Sequence, residues 1–297
     1  MMVSCLGKEA DMPERRVSMK ISVPQVSVIS KAAVSANPFL GSDLSENALW
    51  AELWFSLQPG EYAVATPNNS DTYIPCHTEV IFSTNDITPI LYNGNETQAL
   101  KYPTNEDYIY CVGLYPQDVW RWDDQHKFVA PITGRDDLMF ASEIKGRWDA
   151  QLKSQCFSHM LTWIKVVVCA TSNEAAQIWG DISSISTSTA EEIRISEADG
   201  TGISYIGAQN LSMIDTPVPL SINHRESGSV FCAPSSDITL KVTTSKGLYA
   251  SKRLTLAGGF LAGKQYVIVL YFNELSIIEG MCSLNSWENQ NDNLYLN

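Results

Sequence analysis

Charge is scarce in this chain, and basic charge scarcer still. Only 18% of the 297 residues are charged, with 20 Lys and Arg against 33 Asp and Glu, for a formal net charge of -13. A nucleic-acid partner needs a basic face that displaces counterions from phosphates, and this balance supplies none. No apolar run approaches the ~20 residues of a membrane-spanning helix. The seven cysteines (Cys5, Cys76, Cys111, Cys156, Cys169, Cys232 and Cys282) include no C-x-x-C pair, which argues against zinc ribbons and thioredoxin-like redox sites. Nothing in their spacing fixes a disulfide pairing.

Catalytic spacings are missing as well. There is no G-x-S-x-G elbow, no H-E-x-x-H, and no G-x-G-x-x-G after a strand. The four histidines, His77, His126, His159 and His224, lie far apart in the chain. His159 alternates with Phe157 and Leu161 and reads as a packed histidine whose ring bonds a backbone carbonyl. Acidic neighbours occur at Asp123–Asp124, Asp136–Asp137 and Glu191–Glu192. Glycosidase chemistry needs two carboxylates facing each other at roughly 5–9.5 Å across a sugar, and adjacent acids in loops point to solvent instead. The expectation is a protein without catalytic activity and without a cofactor or metal.

What the chain has in quantity is short apolar segments between turns. A hydrophobic content of 44% is enough for sizeable cores. The segment CFSHMLTWIKVVVC, Cys156–Cys169, reads as one long central strand. Its alternation changes parity near Thr162, which predicts a β-bulge within it. Asp107–Tyr115 is the clearest strand of the first half, and Val119–Phe128 predicts a hairpin. Leu49–Leu57 fits a strand or a helical turn equally well. Thr171–Gly180 is a short helix or a connection. Pro217–Ile222, Gly228–Ala233, Ile238–Thr244 and Gly247–Leu256 follow at sandwich-like spacing. Ala262–Phe272 is apolar on both faces, which predicts a central strand. Leu275–Ile278 and Met281–Trp287 close the chain as a final strand pair. No βαβ pattern or helical repeat occurs.

The reading is all-β, with two antiparallel β-sandwiches in tandem and few short helices. The polar stretch around Gly146 is the expected boundary. Residues 1–16 then form a tether, 17–147 a first domain and 148–297 a second. Three features bear on function. Cys5 follows a small residue, as in an acylated lipoprotein cysteine, although the apolar core of a signal is lacking. The N-terminal strand around Ile21, Val23, Val26 and Val28 is interrupted by Pro24 and preceded by Arg15 and Arg16, so it is weakly tied and open to strand exchange. The aromatic group Trp120, Trp122, Trp148 and Tyr115 either covers a core or, turned outward, stacks on sugar rings; the inward reading is preferred.

These segments resemble, in order, the fimbrillin-like proteins of Bacteroides and relatives, the superfamily of their type V pilins. Cys156–Val168 is similar to the family's F-x-H-x-L-x-x-L strand. Asp107–Pro116 resembles the strand ending in tyrosine and proline. Asp137–Ser142, Gly228–Pro234, Gly258–Phe272 and the terminal Ser286–Trp287 resemble later parts of the same proteins. The resemblance implies two transthyretin-like sandwiches, lipidation at Cys5, and residence at the outer membrane and cell surface as part of a fimbrium. It also implies trimming after an arginine or lysine (Arg15 or Arg16, with Lys20 and Lys31 as alternatives) and assembly with other fimbrial subunits through an added strand. Adhesion to host or bacterial glycans is the second functional expectation.

Overall fold

The computed structural model describes residues 49–62, 77–82, 91–93, 96–98, 102, 108–152, 157–275 and 278–285. The first half contributes β1 (Leu49–Ser56), β2 (His77–Phe82), β3 (Leu91–Asn93), β4 (Glu96–Gln98), β5 (Ile109–Tyr115), β6 (Arg121–Trp122), β7 (Phe128–Pro131) and β8 (Met139–Gly146). Then follow β9 (Phe157–His159), β10 (Thr162–Ala170), the helix α1 (Asn173–Trp179), β11 (Ile182–Thr189), β12 (Glu192–Ile195), β13 (Ile203–Ile206) and β14 (Gln209–Ser212). The chain ends its described course with β15 (Arg225–Cys232), β16 (Ser235–Thr244), β17 (Tyr249–Phe260), β18 (Gln265–Phe272) and β19 (Ile278–Asn285). The fold is all-β.

Among the described residues, four sheets of four or five strands form, beside the small β3–β4 ribbon. In the first half, the sheet β2-β1-β5-β8-β9 faces β13-β12-β7-β6. Trp54 of β1 and Phe140 of β8 meet Phe128 of β7 with ring centroids 5.8 and 5.6 Å apart. In the second half, β15-β10-β18-β19 faces β14-β11-β16-β17. Ile238, Leu240 and Val242 of β16 alternate with half-buried polar residues, so every second side chain enters the core. One continuous apolar cluster runs from Trp54 to Ile278.

β18 sits between β10 and β19 and is buried on both faces, as its two-sided apolar pattern requires. Its pairing with β10 is parallel, whereas every other strand pairing in the sheets is antiparallel. The short segment after β10 is a helix. Ser172 caps it by accepting the Ala175 N–H at 3.0 Å, and Gly180 ends it at φ 71°. Ala175 and Trp179, four residues apart, form its buried stripe.

The central strand is not continuous. β9 pairs with β8 in the first-half sheet, and β10 starts the second-half sheet three residues later. The parity change therefore marks a crossing between sheets, not a bulge. Met160 and Leu161 are both buried at the crossing, and the Met160 N–H donates to the Leu138 carbonyl while the Gly263 N–H donates to that of Leu161. A bulge does lie nearby, on the partner strand. Val166 faces Gly228 and Val167 faces Glu226, leaving Ser227 as the extra residue, its Oγ donating to the Val166 carbonyl at 2.9 Å.

Two other expectations change. Pro217–Ile222 forms no strand, and only Val218 bridges, to Ile182. The closing segment is a single strand, β19, folded back antiparallel on β18. The ambiguous Leu49–Leu57 segment is the strand β1.

β12 and β13 come from the second half of the chain, yet they pair onto β7 of the first half, with Ile193 opposite Ala130 and Tyr205. Arg121 and Arg194 both bind the Glu192 carboxylate on the outer face of this sheet, at 3.3 and 2.5 Å. The Tyr205 hydroxyl donates to the Met160 carbonyl at 2.6 Å, fixing this hairpin against the crossing.

Candidate assembly edges

Cys5, Arg15, Arg16, Lys20 and Lys31, and the strand residues Ile21, Val23, Val26 and Val28, lie outside the described residues. Trp120 and Trp122 are described. Trp120 is 5% exposed, and its indole N–H donates to the Tyr115 carbonyl at 2.9 Å. Its ring lies 6.4 Å from that of Phe140, within the first core. Trp122 is half-buried and touches Tyr62, His126 and Phe128 edge-on, at 5.8, 6.0 and 4.6 Å. The hairpin carrying both tryptophans closes the first core. Beneath it, Tyr62 donates to Glu143 at 2.7 Å, and burial together with that carboxylate pushes the phenol well above its usual range, so it stays a donor.

Three of the histidines take separate partners. His126 Nδ1 lies 2.8 Å from Glu61, and His224 Nε2 lies 3.1 Å from the Tyr271 hydroxyl. His159 is packed, as its alternation implied, but against a carboxylate: its Nδ1 is 2.6 Å from Asp137 Oδ2. Asp137 thus turns inward, with a side chain 11% exposed, instead of facing solvent. This pair ties the start of β8 to β9. Asp123 caps its own turn, accepting the N–H groups of Gln125 and Lys127 at 2.9 Å each. Among the described residues no three His, Cys, Asp or Glu side chains gather as a metal site.

The open sheet edges remain. An edge strand presents a row of backbone donors and acceptors, and the question at each is what covers it. At β15, the Phe231 N–H donates to the Gly134 carbonyl, and the Met213 carbonyl lies against Gly228. At β13 the edge is only four residues long. β17 is long but guarded by charge, with Arg253 outward and bound to Asp237 at 2.8 Å and Lys252 inward.

Among the described residues β19 has none of these protections. It is eight residues long, IEGMCSLN, with no proline, no basic residue and one acid, Glu279. Among the described residues its only ladder partner is β18. Met281 is 58% exposed and Leu284 61%. Register places Gly280, Cys282 and Leu284 on the core side, opposite Leu270, Ile268 and Tyr266, and Met281 on the outer side, opposite Val269. Gly280 has a steric reason: a Cβ there would lie 2.9 Å from Leu254 Cδ2 and 3.3 Å from Lys252 Cγ, both on β17. The edges of the two facing sheets therefore come together at Gly280. Cys282 is half-buried beside this mouth, and desolvation pushes its thiol up to about 11, which keeps it a neutral, unreactive side chain.

No family model matches the chain, and no curated protein does. Solved structures share its fold. A protein from Bacteroides uniformis matches with a TM-score of 0.58 at 12% identity, over 93% of this chain and 99% of its own. One from Bacteroides ovatus matches at 0.53 and 14% identity, over 92% and 96%. Both are described as putative cell adhesion proteins.

Proposed function

We propose that this chain is a non-catalytic adhesion or fimbrial subunit of the cell surface, which joins another chain by accepting an extended strand along β19. The observation that carries the reading is the apolar edge of β19, which among the described residues has no ladder partner beyond β18 and lacks the covering contact seen at β15 and the charge seen at β17. Backbone groups of the edge supply affinity for any extended segment, and Met281 and Leu284 supply apolar contact on both faces of the added strand. The shared fold with two proteins described in terms of cell adhesion supports the same class of role. Under this reading Cys5 carries a lipid that holds the chain at the outer membrane.

The test uses a capped eight-residue peptide in which threonine alternates with valine. The unmodified chain binds it, and Met281→Lys combined with Leu284→Lys weakens binding by about tenfold or more, since a charged edge disfavours an added apolar strand. Both positions are exposed, so stability stays within about 0.5 kcal/mol of the parent. Equal binding by parent and double variant would place strand addition elsewhere on the molecule.

A further inference from the structure

The long edge beside β19 is β17, and its inward charge is Lys252. It pairs with Leu240 of β16, on the parity of the core residues Leu254 and Ala250, so its side chain starts out on the inner face of the sheet. Its stem passes the backbone of Gly280, as the 3.3 Å separation of its Cγ from a Cβ at that glycine shows. The residue is half-exposed, which for a lysine on an inner face means a buried stem and an ammonium carried out through the mouth between β17 and β19. Its neighbour Arg253 is neutralised by Asp237. Lys252 makes no ion pair among the described residues.

An added strand continues the sheet beyond β19 with the same pleat. Its residue opposite Gly280 points inward, to the place where the Lys252 ammonium emerges. Its residues opposite Cys282 and Leu284 point inward over apolar surface. Resting on the strand-addition reading, we infer that the mouth between β17 and β19 selects an extended partner segment with an acidic residue opposite Gly280 and apolar residues at the next two inward positions. Lys252 then fixes the register of an acidic partner. A partner with lysine at that position meets like charge in a half-desolvated site.

The experiment compares three capped peptides on the unmodified chain: the threonine–valine peptide, and versions with the terminal inward valine changed to aspartate or to lysine. Each substitution is made at either end of the valine face, because a strand can add in either direction. At about 0.05 M salt, where screening is weak, the aspartate peptide binds about tenfold more tightly than the lysine peptide in one of the two placements. The gap shrinks at about 1 M salt. Lys252→Glu reverses the preference, and its circular dichroism matches that of the parent. Equal affinity of the aspartate and lysine peptides in both placements would overturn the charge selection while leaving strand addition intact. Failure of all three peptides to bind would overturn strand addition, and this inference with it.

Discussion

Gly228→Ala is expected to lower the stability of the chain by about 4 kcal/mol, near the upper end for a single substitution. Gly228 lies on β15 beside the bulge at Ser227, where the strand bends toward the segment after β14. A Cβ at this position would stand 1.8 Å from the Met213 carbonyl oxygen and 2.8 Å from its carbon. That carbonyl cannot step aside easily. The Met213 N–H donates to the Ile185 carbonyl at 2.8 Å, and the Ser212 hydroxyl donates to that of Ile214 at 2.8 Å. The contact is with backbone, not with the end of a flexible side chain, so relaxation has to move a strand. In a chain of this size the loss corresponds to a melting temperature lower by roughly 10 °C. Ser229→Ala, one residue away and exposed, serves as the control and changes stability by less than about 0.5 kcal/mol. A Gly228→Ala protein that melts with the parent would show that β15 and the Met213 segment do not approach as closely as described.

Ile193→Ala is expected to cost about 3 kcal/mol and to be felt in both halves of the molecule. Ile193 is fully buried, on a strand that follows β11 in sequence but pairs onto β7 of the first half. Truncating it leaves a cavity between Ala130, Tyr205 and the first core. If the hairpin β12–β13 holds the first sandwich together, amides of β5 lose protection against hydrogen exchange along with those of β12. Loss confined to β12 and β13, with β5 unchanged, would show that the first sandwich stands without this hairpin.

Much of the fold was legible from local pattern. β18 announces itself through apolar residues on both faces, and β5 through its run ending at Pro116. Thr171–Gly180 left helix and connection open, and the Ser172 cap and Gly180 stop close it as the helix α1. What stayed hidden depends on contacts remote in sequence. A parity change within Cys156–Cys169 looks the same whether the strand bulges or passes between sheets; only the burial of both Met160 and Leu161 decides it. The parallel pairing of β10 with β18 and the lending of β12–β13 to the first half leave no local signature. Pro217–Ile222 has strand-like composition but forms only one bridge, with Ile182, while the Ser221 carbonyl accepts the Ala170 N–H.

The site was less legible than the fold. Aromatic chemistry alone left Trp120 and Trp122 between core and sugar platform, with the inward reading preferred, and their rings lie against Phe140 and Phe128. The residues that shape the candidate edge are ordinary ones: a glycine, a methionine, a leucine and a lysine on the opposite sheet. The absence of charge and proline over Gly280–Asn285 was readable, but its meaning requires knowing that β19 is the last strand of its sheet.

The most direct measurement is hydrogen exchange over Ile278–Asn285, with and without the threonine–valine peptide at saturating concentration. In an edge strand, the amides that point away from β18 exchange freely, and an added strand engages them. Strand addition at this edge predicts slowed exchange in β19 when the peptide is bound, with β15 and β17 unchanged. Bound peptide with unaltered exchange in β19, or with protection appearing only at another edge, would contradict it.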